Sequence, residues 1–124
     1  MKALNQKWLA SVAAAAAIAL VPAAAFAHGK LESAEPAAGS TVDAAPDALR
    51  LTFNEDLEST FSTIKVTDAS GAPVGKEKAK VDPSNRRVLT LAVPKLSSGS
   101  YSVQWAVMTQ DAHKTKGTYA FKVK

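Results

Sequence analysis

The chain predicts an all-β domain: a single Greek-key β-sandwich or barrel, immunoglobulin-like, with about seven strands. Three observations lead there. Apolar and polar residues alternate over short stretches, most cleanly at Tyr101, Val103, Trp105 and Val107. Clusters rich in Asp, Ser, Gly, Pro and Asn separate those stretches at short intervals. After the first few dozen residues, little of the chain carries the 3.6-residue periodicity of an amphipathic helix.

Met1–Ala27 reads as a secretory signal peptide, to be removed. Lys2 and Lys7 charge its start, Trp8–Leu20 is an alanine-dominated apolar run, and Pro22 breaks that run. Ala25 and Ala27 then place small residues where a signal peptidase inspects the chain. The remaining residues, 28–124, form one domain without internal repeat or linker. Lys30–Glu35 is a short opening strand ended by Pro36 and Gly39. Leu49, Leu51 and Phe53 alternate with Arg50 and Thr52 in a half-buried strand. Phe61–Thr67 is the next, with Ile64 and Val66 inward, and Asp68–Pro73 is a turn whose Gly71 suits positive φ. Val74–Val81 reads as an edge strand defended by Lys76, Lys78 and Lys80. After a turn at Asp82–Asn85 come a strand over Arg87–Val93 and a loop over Pro94–Gly99. The strand Tyr101–Val107 follows, and Tyr119, Phe121 and Val123 close the chain with the same alternation. The aromatics Phe53, Phe61, Tyr101, Trp105, Tyr119 and Phe121 are assigned to the core.

Composition narrows the function. The formal charge of +4 falls to +2 once Lys2 and Lys7 leave with the leader, and the basic residues are scattered, which argues against nucleic-acid binding. Cysteine is absent, so disulfides, thiolate metal sites and thiol redox chemistry are excluded. The leader is short and weakly flanked for a membrane span, and no later segment approaches spanning length. The mature domain is therefore expected outside the cytoplasm, monomeric and not inserted in the membrane. No nucleophile–base pair or phosphate-binding glycine loop is visible, so the expectation is a binding protein and not an enzyme.

Cleavage after Ala27 would make His28 the first residue. Its free α-amine and its imidazole Nδ1 could then chelate one metal ion together. The other histidine is His113, in Asp111-Ala112-His113 between the two best strands. Two residues apart in an extended backbone, Asp111 and His113 would project to the same side. Three nitrogens and one carboxylate oxygen suit the tetragonal preference of Cu(II), which also heads the divalent affinity series. Glu55, just after the Leu49–Phe53 strand, is a candidate fifth ligand or hydrogen-bond acceptor behind the ligands.

With these pieces in order, the chain resembles the CopC/PcoC family of periplasmic copper-resistance proteins over essentially all of residues 28–124. The resemblance rests on His28-Gly-Lys-Leu-Glu-Ser33, Pro36-Ala-Ala-Gly-Ser40, Leu51-Thr-Phe-Asn-Glu55, Gly99-Ser-Tyr-Ser-Val-Gln-Trp105, Asp111-Ala-His113 and Gly117-Thr-Tyr-Ala-Phe-Lys-Val123. It implies a seven-stranded Greek-key domain and a Cu(II) site at His28, Asp111, His113 and Glu55. It also implies a CopD-type inner-membrane partner for sequestration, resistance or transfer in the periplasm. Some members carry a methionine-rich loop that binds Cu(I). Here the corresponding region, Thr67–Asn85, has no methionine, and Met108 alone remains after the leader, so the chain is expected to be a Cu(II)-only variant. Two other readings compete: a small monooxygenase-like copper enzyme built on an N-terminal histidine, and a metal-free β-sandwich interaction domain.

Overall fold

Alternating side chains give each strand one apolar face, and two sheets cover those faces against each other in the computed structural model, which describes residues 29–124. The expected leader, 1–27, and His28 lie outside the described residues. The strands are β1 (Leu31–Glu35), β2 (Thr41–Val42), β3 (Ala48–Phe53), β4 (Thr63–Asp68), β5 (Lys80–Asp82), β6 (Asn85–Ala92), β7 (Gly99–Met108) and β8 (Lys114–Val123). One sheet runs in the order β1-β3-β6-β5 and the other β2-β8-β7-β4. Pairing is antiparallel except between β2 and β8, which run parallel. The chain crosses between the sheets after β1, β2, β3, β4 and β6. Neither sheet closes on itself, so the expected sandwich-or-barrel domain is a sandwich. The eighth strand is the two-residue β2, too short to show alternation.

Between the layers, Leu49, Leu51 and Phe53 of β3 meet Ile64 and Val66 of β4, with Leu89 and Leu91 of β6. Tyr101, Val103 and Val107 of β7 and Phe121 and Val123 of β8 complete the contact, all buried. Phe53 and Trp105 meet edge to face at 5.1 Å, and Tyr101 stacks on Phe121 at 5.6 Å. Trp105 lies across its strand partner Gly117, where an added Cβ would stand only 2.5 Å from the indole.

Two expectations need correction. The stretch Val74–Val81 is not one edge strand. Val74 hangs on β4 by a hydrogen bond from its N–H to the Val66 carbonyl (2.9 Å). Gly75–Ala79 then pass from one sheet toward the other, and only Lys80–Asp82 pair, with β6. A crossing segment cannot keep either ladder, so lysines at every second position mark exposure here without marking a strand. Phe61 is also not core. It sits in a one-turn 3₁₀ helix, Ser59–Phe61, ahead of β4, is 55 % exposed, and lies with the Lys114 ammonium 5.8 Å from its ring centroid. Leu57 and Ile64, on either side, are the buried apolar residues there.

Candidate metal centre

Three segments converge at one end of the sandwich: the turn from β7 into β8, the loop after β3, and the residues leading into β1.

The first carries Asp111 and His113. β7 ends at Met108 and β8 begins at Lys114, so residues 109–113 must reverse the chain. Thr109 closes this turn: its N–H donates to the His113 carbonyl (2.9 Å), and its own carbonyl accepts from the Ala112 N–H (2.9 Å). Ala112 takes a left-handed backbone, φ 70°, which an L-residue adopts at a cost. The segment is thus a tight turn and not the extended backbone that the sequence suggested. The side chains of Asp111 and His113 meet nonetheless, with His113 Nδ1 3.1 Å from Asp111 Oδ1 and both about half exposed.

The Thr109 side chain organises the turn from beneath. It is 1 % exposed, its hydroxyl donates to Asp111 Oδ1, and its Oγ1 accepts from the His113 N–H (3.2 Å). Thr109 occupies the inward phase set by Val103 and Val107. A threonine in the buried phase of an apolar strand, two residues before Asp111, was the one sequence signal of its role.

The second segment carries Glu55, half-buried, and is held alongside the end of β7. Leu57 forms a bridge with Thr109, the Glu58 N–H donates to the Met108 carbonyl (2.8 Å), and the Gln110 N–H donates to the Asp56 carbonyl (3.1 Å). The Gln110 side chain adds a bond from Nε2 to the Leu57 carbonyl (3.0 Å).

The third segment extends the β1–β3 ladder by one reciprocal pair. The Lys30 N–H donates to Asn54 Oδ1 (2.8 Å), and the Asn54 N–H donates to the Lys30 carbonyl (3.0 Å). Gly29, buried at φ 71°, then seats on the β7–β8 turn. Thr115 Oγ1 donates to its carbonyl (2.8 Å). An added Cβ at Gly29 would lie 3.0 Å from Thr115 Oγ1 and 3.1 Å from Thr109 Cγ2.

The structure therefore brings Asp111 and His113 together and sets the Glu55 loop and Gly29 against the turn that bears them. Glu55, Asp111 and His113 each have a further partner besides these contacts. Among the described residues no group of three or more His, Asp or Glu side chains is arranged to hold an ion, so Asp111 and His113 stand as a pair. No helix among the described residues is long and apolar enough to cross a membrane.

Comparison with known proteins matches residues 31–124 to the CopC domain family. The chain is 38% identical over 106 residues to "Protein YobA" of Escherichia coli (strain K12), covering 85% of this chain and 86% of that one. It is 34% identical over 122 residues to "Copper resistance protein C" of Xanthomonas campestris pv. juglandis, covering 94% and 95%. Among solved structures it superposes on CopC from Methylosinus trichosporium OB3b with a TM-score of 0.74 at 36% identity, covering 78% of this chain and 94% of that one.

Proposed function

The chain belongs to the CopC family of copper-resistance proteins, and from that premise we propose that its cargo is Cu(II), held where the β7–β8 turn meets the start of the mature chain. The ligands in this reading are the α-amine and Nδ1 of His28, exposed by cleavage after Ala27, together with His113 and the Asp111 carboxylate. Glu55 stands nearby as a further ligand or hydrogen-bond acceptor.

The observation that carries this reading is the seating of Gly29. Neighbouring Cα atoms are about 3.8 Å apart, and Gly29 is pinned by Thr115 of β8 and lies against Thr109 of the turn that holds Asp111 and His113. A residue joined to Gly29 by one peptide bond is tethered within reach of that pair. Because Asp111 Oδ1 faces Nδ1 of His113, a proton assigned to Nδ1 leaves the lone pair on Nε2 for the metal.

The chemistry is binding and release rather than catalysis. Imidazole, amine and carboxylate suit Cu(II), while the soft thioether donors that favour Cu(I) are reduced to Met108 in residues 28–124. The half exposure of Asp111 and His113 leaves the ion open to an acceptor. A CopD-type protein of the inner membrane fits a soluble, monomeric carrier in the periplasm.

Two purified forms test the reading, one starting at His28 and one keeping a single alanine before it. The extra residue turns the amine into a non-basic amide and removes the chelate ring. Cu(II) affinity should fall by orders of magnitude while the metal-free folds and melting temperatures agree. Equal affinities would remove the α-amine, and with it the N-terminal site.

A further inference from the structure

We propose that Thr109 is the positioning residue that presets this site before any metal arrives; the inference rests on the copper reading above and adds to it a residue that is not itself a ligand.

The Thr109 side chain touches both proposed ligands on the turn and the segment that leads into β1. Its hydroxyl donates to Asp111, its oxygen accepts from the His113 N–H at 3.2 Å, and its methyl lies where a Cβ on Gly29 would come within 3.1 Å. A hydroxyl has one proton. The Asp111 carboxylate takes it, and the more distant His113 carbonyl, 3.4 Å away, competes poorly for it.

A buried hydroxyl must find partners, and at 1 % exposure Thr109 finds them in two proposed copper donors and not in the core. Asp111 Oδ1 thereby accepts from Thr109 and faces His113 Nδ1 at once. The carboxylate is fixed in orientation, and it in turn orients the imidazole so that Nε2 points away from it. Both donors are otherwise half exposed on a turn, where each would lose rotamer freedom on binding an ion. Ordering them in advance removes that cost from the binding step. The methyl group does the same for the chain's start by giving Gly29 a floor.

Valine and serine at this position separate the two functions. Thr109→Val keeps the shape and the floor under Gly29 but strips the hydroxyl. Thr109→Ser keeps the hydroxyl and loses the methyl. On the mature chain starting at His28, Thr109→Val should weaken Cu(II) by about 10–100-fold in competitive titration, the range typical of groups that orient ligands. It should also change the nitrogen coupling seen by electron paramagnetic resonance. Thr109→Ser should stay within about threefold of wild type, well short of that range.

A metal-free readout runs alongside. Nitrogen-resolved NMR at about pH 8.5, above the ordinary imidazole range, should show His113 protonated mainly at Nδ1 in the wild type and in Thr109→Ser. In Thr109→Val the two tautomers should mix. A purely structural role would lower the melting temperature of Thr109→Val without moving either spectrum, and that result overturns the proposal. So does wild-type affinity in Thr109→Val. If the wild-type mature chain takes up no Cu(II), the copper reading falls, and the tautomer in the metal-free spectra still decides whether Thr109 positions His113.

Discussion

His113 Nδ1 stands 3.1 Å from Asp111 Oδ1 on a turn where the residue between them, Ala112, has φ 70°. The left-handed residue is what lets two side chains two positions apart meet over so short a reversal. In the copper reading it would also make the histidine a directed donor, because Nδ1 faces the carboxylate and Nε2 is turned away from it. A carboxylate–imidazole pair of this kind orients metal-binding histidines generally.

If copper is bound there, the substitutions form a ranked series. His113→Ala should weaken Cu(II) more than Asp111→Ala, since imidazole is the better donor. Glu55→Ala should cost less, on the order of 10–100-fold. Competitive titration ranks them, and a loss for Glu55→Ala equal to that for His113→Ala would make Glu55 a direct ligand. None should unfold the domain. Asp111→Ala takes away the acceptor of the buried Thr109 hydroxyl and should lower stability by about 1 kcal/mol.

Acid should release the metal. Amines titrate at about 7.7–8.0 and imidazoles at about 6.5, and both must lose their protons to bind copper. Apparent affinity should therefore fall steeply between mildly alkaline and mildly acidic solution. A flat profile over that interval would leave no place for nitrogen ligands.

Ala112→Gly should stabilise the fold. A left-handed L-residue costs roughly 1–2 kcal/mol, and glycine returns about 0.5–1 kcal/mol of that through its freer unfolded chain. The net gain is at most about 1.5 kcal/mol and is readable by denaturant unfolding. Ala112→Val, β-branched at the same φ, should move the midpoint the other way.

Tyr119→Phe should stabilise it too. The Tyr119 hydroxyl is buried and has no hydrogen-bond partner among the described residues, and burial pushes its pKa up to about 12. In the unfolded chain a phenol begins to ionise at about 10. Below that pH both states stay protonated and stability is unaffected. Between about 10 and 12 the unfolded state gains by ionising, so stability falls as pH rises. Removing the hydroxyl should raise stability by about 1 kcal/mol at neutral pH and abolish the Tyr119 part of the alkaline slope. An unchanged slope would show that other groups produce it.

Much of the sandwich was legible because alternation reports which side of a strand faces the core. Leu49, Leu51, Phe53, Val103 and Val107 are buried as their phase required. Alternation carries no information about which sheet a strand joins, and it needs more residues than Thr41–Val42 offers. It also misled at Phe61, where an apolar residue one turn ahead of a strand looks like part of it. Asp111 and His113 were found by residue type, and they do meet. A tight turn and not an extended backbone brings them together, and an alanine at positive φ leaves no mark in the sequence. Thr109 was passed over because a lone threonine in an apolar run reads as a tolerated polar residue until its partners are known.

The bond from Thr115 to the Gly29 carbonyl ties together residues 86 positions apart. Closing so long a loop is entropically costly and kinetically late, and it needs β8 in place beside β7. A chain lacking its last hairpin has nowhere to seat Gly29, however well its other strands have paired. Copper held at this corner would thus report that the segment before β1 and the start of β8 have met. An ion bound only by that closed form would favour it by mass action in proportion to the logarithm of its own concentration. Abundance of the cargo would then raise the folded fraction of the carrier, and scarcity would leave that fraction at its metal-free value.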